Sequence, residues 1–204
     1  FVRAKFYSLF SFLFGWGMSV QMLRAAERGQ RFASTFVRRM AILLVFGLIH
    51  GMLIWSGDIL TLYAILGFAL LLFRKRYERT LLIAAVLFLS LTIILTLPGE
   101  TMDAFRSWYA GITAFMRQGN LPDSLYATGT YWQIVPKTTQ DFWAAQSWVI
   151  YYVGSVFSMF LLGLYAGKRQ IFQNVDGHLS LLKRTMVTGL IIGVIFNGIF
   201  VWNT

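Results

Sequence analysis

His50 and Asp58 are the residues whose types and spacing best suit chemistry in this sequence. His50 lies inside an apolar run that opens at Arg38-Arg39 and is long enough to cross a bilayer. An ionisable side chain at membrane depth is costly and usually faces a bundle interior or a wet cavity. Because histidine changes charge near neutral pH, His50 is a candidate general base. The alternative is a neutral histidine that makes one hydrogen bond between helices.

Asp58 follows eight residues after His50. On a continuous helix it would lie about 80° around the axis from His50 and about 12 Å along it. A turn at Ser56-Gly57 would shorten that distance. A carboxylate beside a histidine orients the imidazole and stabilises its charged form. Asp58 can also cap the helix that follows, and the two roles are compatible, so the pair is the predicted catalytic site.

A second candidate site is the basic connection that precedes the apolar run, where five arginines accompany Glu27 alone. Guanidinium groups bind phosphates well, so this stretch can hold an anionic cytosolic ligand such as a nucleotide or a phosphorylated cofactor. The alternative is that it only sets topology and touches anionic lipid. The candidate ligand-binding residues are Arg24, Arg28, Arg31, Arg38 and Arg39.

Composition places the chain in the membrane. Its residues are 57% hydrophobic and 13% charged, and the mean hydropathy is +0.64, so a soluble domain of this size would lack polar surface. The absence of cysteine excludes disulfides and thiolate chemistry, and two histidines support no metal site. The net charge of +10 does not indicate nucleic acid, because the basic residues fall between apolar spans.

The apolar runs predict an all-α polytopic membrane helix bundle that forms a single transmembrane domain over residues 1–204. The chain begins at Phe1 and stops after an apolar run, and we expect it to be a segment of a longer protein. Six spans are predicted: Phe6–Leu23, Arg39–Trp55, Ile59–Phe73, Leu81–Leu97, Trp148–Ala166 and Met186–Trp202. A tight hairpin joins the second span to the third.

Residues 100–146 are too polar to span and form a predicted extracytoplasmic segment. Apolar residues at helical spacing predict an amphipathic helix over Met102–Met116. Pro122, Gly129 and Pro136 predict a loop over Asn120–Asp141. Three small-xxx-small pairs predict close helix packing: Gly47 with Gly51, Gly163 with Gly167, and Gly189 with Gly193.

The distribution of positive charge predicts the orientation. Three connections, over residues 24–39, 74–79 and 168–184, hold thirteen of the eighteen Lys and Arg residues. By the positive-inside rule these connections are cytoplasmic. Asp58, the long segment and the end of the second span that carries His50 are then extracytoplasmic.

Five stretches form a recognisable pattern: Phe10 to Gly17, Arg38-Arg39, Gly47 to Gly51, Trp55 to Leu60 with Tyr63-Ala64, and Phe160 to Lys168. The pattern resembles the YeiB family of bacterial integral membrane proteins, domain of unknown function family 418. The resemblance covers the first 73 residues best. The family's first segment, with an Asp and an Arg-Gly pair, has no counterpart in this chain.

That family is grouped with transmembrane acyltransferases, which carry an acyl group across the membrane to an acceptor on the far side. The resemblance implies a multi-pass protein of the bacterial inner membrane that contacts lipid and can form a homo-oligomer. It implies acyl-CoA as the donor substrate without a bound cofactor, and a glycan or lipid acceptor. His50 would act as general base or acyl relay, and the arginines would contact the phosphates. The alternatives are a transporter with His50 and Asp58 on its path and a scaffold without chemistry.

Overall fold

The structure is a computed structural model that describes residues 2–96, 103–104, 107–111, 114, 121–146, 149 and 152–202. Over these ranges the chain is helical and contains no strand, so the predicted all-α membrane helix bundle is confirmed. The helices are α1 Val2–Glu27, α2 Phe32–Leu53, α3 Leu60–Leu72, α4 Glu78–Thr96, α5 Leu125–Thr128, α6 Tyr131–Gln146, α7 Val153–Lys168 and α8 Val175–Trp202.

Six of these helices correspond to the six predicted spans. Four of them, α1, α2, α4 and α8, are long and apolar enough to cross a membrane. The other two, α3 and α7, have 13 and 16 residues and are about 20 and 24 Å long, less than the hydrocarbon thickness. They hold seven and ten buried residues, more than their neighbours, so they form the inner part of the bundle.

Small residues let the inner helices approach closely. α7 packs against α1 and α4, and α2 packs against α3 and α6. A Cβ atom at Gly15 would overlap the carbonyl oxygen of Phe160, and one at Gly163 would overlap that of Phe12. Hydrophobic burial adds little between helices in lipid, so such close contacts supply much of the packing energy.

The three predicted glycine pairs differ in how closely they pack against other helices. Gly163 and Gly167 lie at the contact of α7 with α1, while Gly47 faces Thr61 of α3 and Gly51 faces α6, so close packing of these two pairs is confirmed. A Cβ atom at Gly189 or Gly193 of α8 would meet nothing within 4 Å in the described part of the chain. The prediction for that pair is wrong there.

The predicted loop over Asn120–Asp141 is also wrong, because most of it is helical. Pro136 is the sixth residue of α6 and cannot donate to the carbonyl of Trp132, yet the helix persists. The buried face of α6, which includes Phe142, packs on α2. This packing offsets the missing backbone hydrogen bond. Gly129 does end a helix, as C-cap of α5. Of the predicted helix over Met102–Met116, the structure describes residues 103–104, 107–111 and 114, and these are helical.

Two further boundaries differ from the prediction. The basic connection shrinks to residues 28–31, because α1 continues to Glu27 and α2 already begins at Phe32. α8 begins at Val175, where the Asn174 side chain accepts a hydrogen bond from the N–H of Gly177 at 3.2 Å, as an N-cap residue does. Both α2 and α8 therefore begin several residues before their apolar runs.

Candidate functional site

His50 and Asp58 are in direct contact. Nδ1 of His50 lies 2.9 Å from Oδ1 of Asp58. The turn over residues 54–59 reverses the chain between α2 and α3 and removes the separation that a continuous helix would impose. An ionised carboxylate only accepts, so Nδ1 of His50 donates and Nε2 is left without a proton in the neutral ring. Among the described residues, Nε2 has no hydrogen-bond partner.

Asp58 also caps α3. Its Oδ2 accepts a hydrogen bond from the backbone N–H of Thr61 at 2.8 Å, which satisfies one of the open donors of the helix N-terminus. The Asp58 side chain is 0% exposed, whereas that of His50 is 34% exposed. One carboxylate therefore fills both predicted roles, holding the ring on one side and the helix on the other, while the far side of the ring stays accessible.

The amphipathic helix α6 covers this pair. The Phe142 ring is fully buried and lies against Gly51, where a Cβ atom would overlap it and would lie 3.2 Å from Cβ of Asp58. The hydroxyl of Tyr131 donates to the carbonyl of Leu53, and that of Thr139 to the carbonyl of Met52, both at 3.2 Å. These bonds satisfy carbonyls that the end of α2 leaves open, so α6 is fixed to the same helix end that carries His50.

Lys137 holds α6 to the segment before it. Its ammonium group lies 2.8 Å from Oδ1 of Asp123 and 2.8 Å from Oδ1 of Asp141, and its side chain is only 4% exposed. The hydroxyl of Tyr126 donates to the other oxygen of Asp141 at 2.8 Å. Bonds to Asp123 and Asp141 raise the pKa of Lys137 above its ordinary value. The prediction of a loop over this stretch did not identify this group of Lys137, Asp123, Asp141 and Tyr126. The i, i+4 spacing of Lys137 and Asp141 is nevertheless typical of a helix.

A cavity of about 840 Å³ lies beside Asp58, between α1, the α2–α3 turn, the end of α6 and the start of α7, and its described lining does not include His50. Asp58 lines it through its main chain, because its side chain has no exposed surface. The rest of the described lining consists of aromatic, aliphatic, hydroxyl and amide groups and carries no charge. Rings come from Phe6, Tyr7, Trp55 and Tyr152, and hydroxyl or amide groups from Ser8, Ser11, Ser56, Gln146 and Ser155.

Two hydroxyl groups behind this cavity link α1 to α3. Ser11 is buried and its hydroxyl donates to the carbonyl of Tyr7 at 2.6 Å. The same oxygen lies 2.7 Å from the hydroxyl of Tyr63, which packs against Phe160 with ring centroids 5.1 Å apart. The wall of the cavity is therefore held by hydrogen bonds as well as by packing.

Four of the five candidate arginines share one cavity at the other end of α2. Arg24, Arg28, Arg31 and Arg39 line a cavity of about 210 Å³, whereas Arg38 does not line it. Arg39 donates to the side chain of Gln21. Arg39 and His50 are eleven residues apart on α2, about 16 Å along the axis. The two candidate sites are thus brought to opposite ends of the same helix.

The described residues include no group of three or more His, Cys, Asp or Glu side chains that could hold a metal ion. What the fold and the site together define is a helical membrane bundle with a paired histidine and aspartate at one end and a basic cavity at the other.

Three bacterial proteins are similar to this chain. It is 40% identical over 205 residues to the uncharacterized protein YxaH of Bacillus subtilis, a match that covers 95% of this chain and 50% of YxaH. It is 43% identical over 94 residues to an uncharacterized 39.9 kDa protein from the amylase 3' region of Bacillus acidopullulyticus, which covers 46% of this chain and 27% of that protein.

The third relative is the uncharacterized protein YeiB of Escherichia coli, with 43% identity over 65 residues, 32% of this chain and 15% of YeiB. The chain therefore spans about half the length of YxaH and less of the other two. No family model matches it, and no solved structure matches it. These similarities relate it to bacterial proteins of the YxaH and YeiB kind.

Proposed function

We propose that this chain belongs to the YeiB family and is part of a membrane acyltransferase of the bacterial inner membrane. It would move an acyl group from a cytosolic acyl-CoA to an extracytoplasmic acceptor. The observation that carries the proposal is the 2.9 Å contact between His50 Nδ1 and a fully buried Asp58 carboxylate. This is the geometry of a general base and its orienting partner.

The proposed reaction uses the accessible nitrogen of His50. Nε2 takes the proton of an acceptor hydroxyl, whose oxygen attacks the thioester carbonyl. The new C–O bond forms as the C–S bond breaks, and the departing CoA thiolate receives the proton from the imidazolium. Asp58 accepts from Nδ1 throughout, which keeps Nε2 free to act and stabilises the charged ring. Atoms, charge and protons balance without a metal or an added cofactor.

The distance between the two ends of α2 fits a long donor. If the CoA phosphates lie at Arg24, Arg28, Arg31 and Arg39, the thioester must reach His50 about 16 Å further along the helix. An extended pantetheine arm covers such a distance, and the positive-inside rule puts the basic end in the cytosol. The neutral cavity of about 840 Å³ beside the turn suits an uncharged glycan or lipid acceptor, because its aromatic rings and hydroxyls can stack on and bond such groups.

The burial of Asp58 also bears on the alternative of transport. A carboxylate on a proton or solute path must exchange partners with water or ions. Asp58 instead has no exposed side-chain surface and is held by both His50 and the N–H of Thr61. Its position supports a fixed orienting role and disfavours a conducting one.

Replacing His50 tests the proposal. Proteoliposomes that contain the purified protein and a glycolipid extract would receive acetyl-CoA on the basic side, and the released CoA thiol would be measured. We expect His50→Ala to lower release by about 10²- to 10⁴-fold, the usual contribution of a general base. His178→Ala is the matched control, because His178 bonds the carbonyl of Asn174 at the start of α8 and takes no part in the site. Retained release in folded His50→Ala would refute the proposal.

A further inference from the structure

The basic end of the bundle contains a second cavity that adjoins the first. It measures about 530 Å³ and lies between the α1–α2 turn and the α3–α4 turn. Gln30, Arg31 and Phe32 line both cavities, so the two meet at Arg31. The second cavity adds Arg74 and Lys75, which lie more than forty residues away in the sequence and were not among the candidate residues.

All the charged residues that line the two cavities are cations. Six cations line them, and neither described lining includes a carboxylate: Arg24, Arg28, Arg31, Arg39, Arg74 and Lys75. Apart from Arg39, whose partner is the neutral Gln21, none of these side chains has a hydrogen-bond or ion-pair partner among the described residues. The nearby acid Glu78 is already paired with Arg169 at 2.7 Å. Unpaired cations that line the same cavity repel one another, and an anionic ligand would relieve that repulsion.

The turn at the junction of the cavities has a defined backbone conformation. Gly29 adopts a left-handed φ of 62°, and the N–H groups of Gly29 and Gln30 bond the carbonyls of Ala26 and Ala25 at 3.1 and 2.9 Å. This is the Schellman arrangement that ends a helix. The turn fixes where Arg28 leaves α1 and where Arg31 enters α2. Such preorganisation lowers the entropic cost of binding.

We propose that the α1–α2 and α3–α4 turns together bind a ligand with phosphate groups at two separate positions, one in each cavity. Arg24 and Arg28 would bind the phosphate at the first position, and Arg74 and Lys75 would bind the phosphate at the second. Arg31 would contact both phosphates. Coenzyme A offers this chemistry, with a diphosphate and a separate 3′-phosphate, and so does a lipid headgroup with two phosphates such as cardiolipin. In its coenzyme A form the inference rests on the proposed function and extends its donor site to the α3–α4 turn.

The first test measures binding to the purified protein by calorimetry, with coenzyme A and 3′-dephospho-coenzyme A as probes. We expect coenzyme A to bind about tenfold more tightly, since one charge-assisted contact is of that order. Arg74→Gln/Lys75→Gln should remove that preference by weakening coenzyme A binding about tenfold while leaving the dephospho form within about twofold. Lys183→Gln/Arg184→Gln on α8 is the control, because neither residue lines either of the two cavities, and it should keep the preference.

The second test compares cardiolipin, which has two phosphates and four acyl chains, with phosphatidylglycerol, which has one phosphate and two acyl chains, by native mass spectrometry of the same variants. A preference for cardiolipin that Arg74→Gln/Lys75→Gln removes, without binding of coenzyme A, would support the two-phosphate site and reject the donor assignment. Equal binding within each probe pair, no binding of either two-phosphate probe, or a preference that persists in the variant would overturn the inference. Both measurements record binding alone, so the turnover of His50→Ala tests the proposed function separately.

Discussion

Asp58 has two roles that one pair of substitutions can separate. In Asp58→Asn the side-chain oxygen can still accept from the N–H of Thr61, because asparagine caps helices about as well as aspartate. Its amide group then faces Nδ1 of His50 and donates to it. The imidazole must move its proton to Nε2. In Asp58→Ala both bonds are lost.

The expected magnitudes differ accordingly. Asp58→Ala removes a cap, at about 0.5–2 kcal/mol, and leaves the Nδ1–H of His50 without its buried partner, at about 1–3 kcal/mol. We expect a total loss of about 1.5–5 kcal/mol. Asp58→Asn keeps the bond from the N–H of Thr61 and reverses the direction of the bond with His50, so it should cost about 1 kcal/mol. If His50 is the general base, both variants should lose about 10²- to 10⁴-fold in turnover, since neither presents a free Nε2 in a fixed orientation.

Two measurements check this reasoning. Unfolding of the purified variants in mixed detergent should place Asp58→Asn nearer the wild type than Asp58→Ala. Nitrogen NMR of histidine-labelled protein, at a pH well above histidine ionisation, should show two imidazoles that both carry the proton on Nδ1, since the sequence has two histidines and His178 also bonds a carbonyl through Nδ1. In Asp58→Asn one of them should change tautomer. An unchanged spectrum, or equal destabilisation by the two substitutions, would refute the assigned geometry.

Three further predictions concern stability, each measured by unfolding. The bonds of Lys137 to Asp123 and Asp141 raise its pKa above 10.5. The stability that these bonds contribute should therefore be complete below that pH and be lost as the pH rises through the raised pKa. Lys137→Met should be less stable than the wild type at neutral pH and should lose less stability at alkaline pH. Gly163→Ala should cost about 1–3 kcal/mol by forcing α1 from α7, whereas Gly189→Ala, whose Cβ would meet nothing within 4 Å in the described part of the chain, should be neutral or slightly stabilising. Gly29→Ala should cost about 1–2 kcal/mol, because its φ of 62° strains any residue with a Cβ; an unchanged midpoint would contradict the assigned turn.

The fold class and the helix pairing at the turn could be predicted because they depend on local pattern. An apolar run of bilayer length must be helical in lipid, since every backbone group needs a partner within its own segment. The turn residues Ser56-Gly57 and the capping type of Asp58 predicted the reversal that brings Asp58 back to His50, and the structure confirms that reversal. Helix ends were less predictable, because α2 and α8 begin with polar turns that precede their apolar runs.

The sequence by itself determined the membrane class, the location of six apolar helices and the pairing of His50 with Asp58, because each of these follows from hydrophobicity, turn residues and short-range spacing. Only the tertiary structure decided that α6 covers that pair, since its helicity depends on the packing of Phe142 against Gly51 and outweighs the effect of Pro136. Only the tertiary structure brought Arg74 and Lys75 to Arg31. Contacts between residues more than forty positions apart depend on how the helices cross, and no local pattern encodes that.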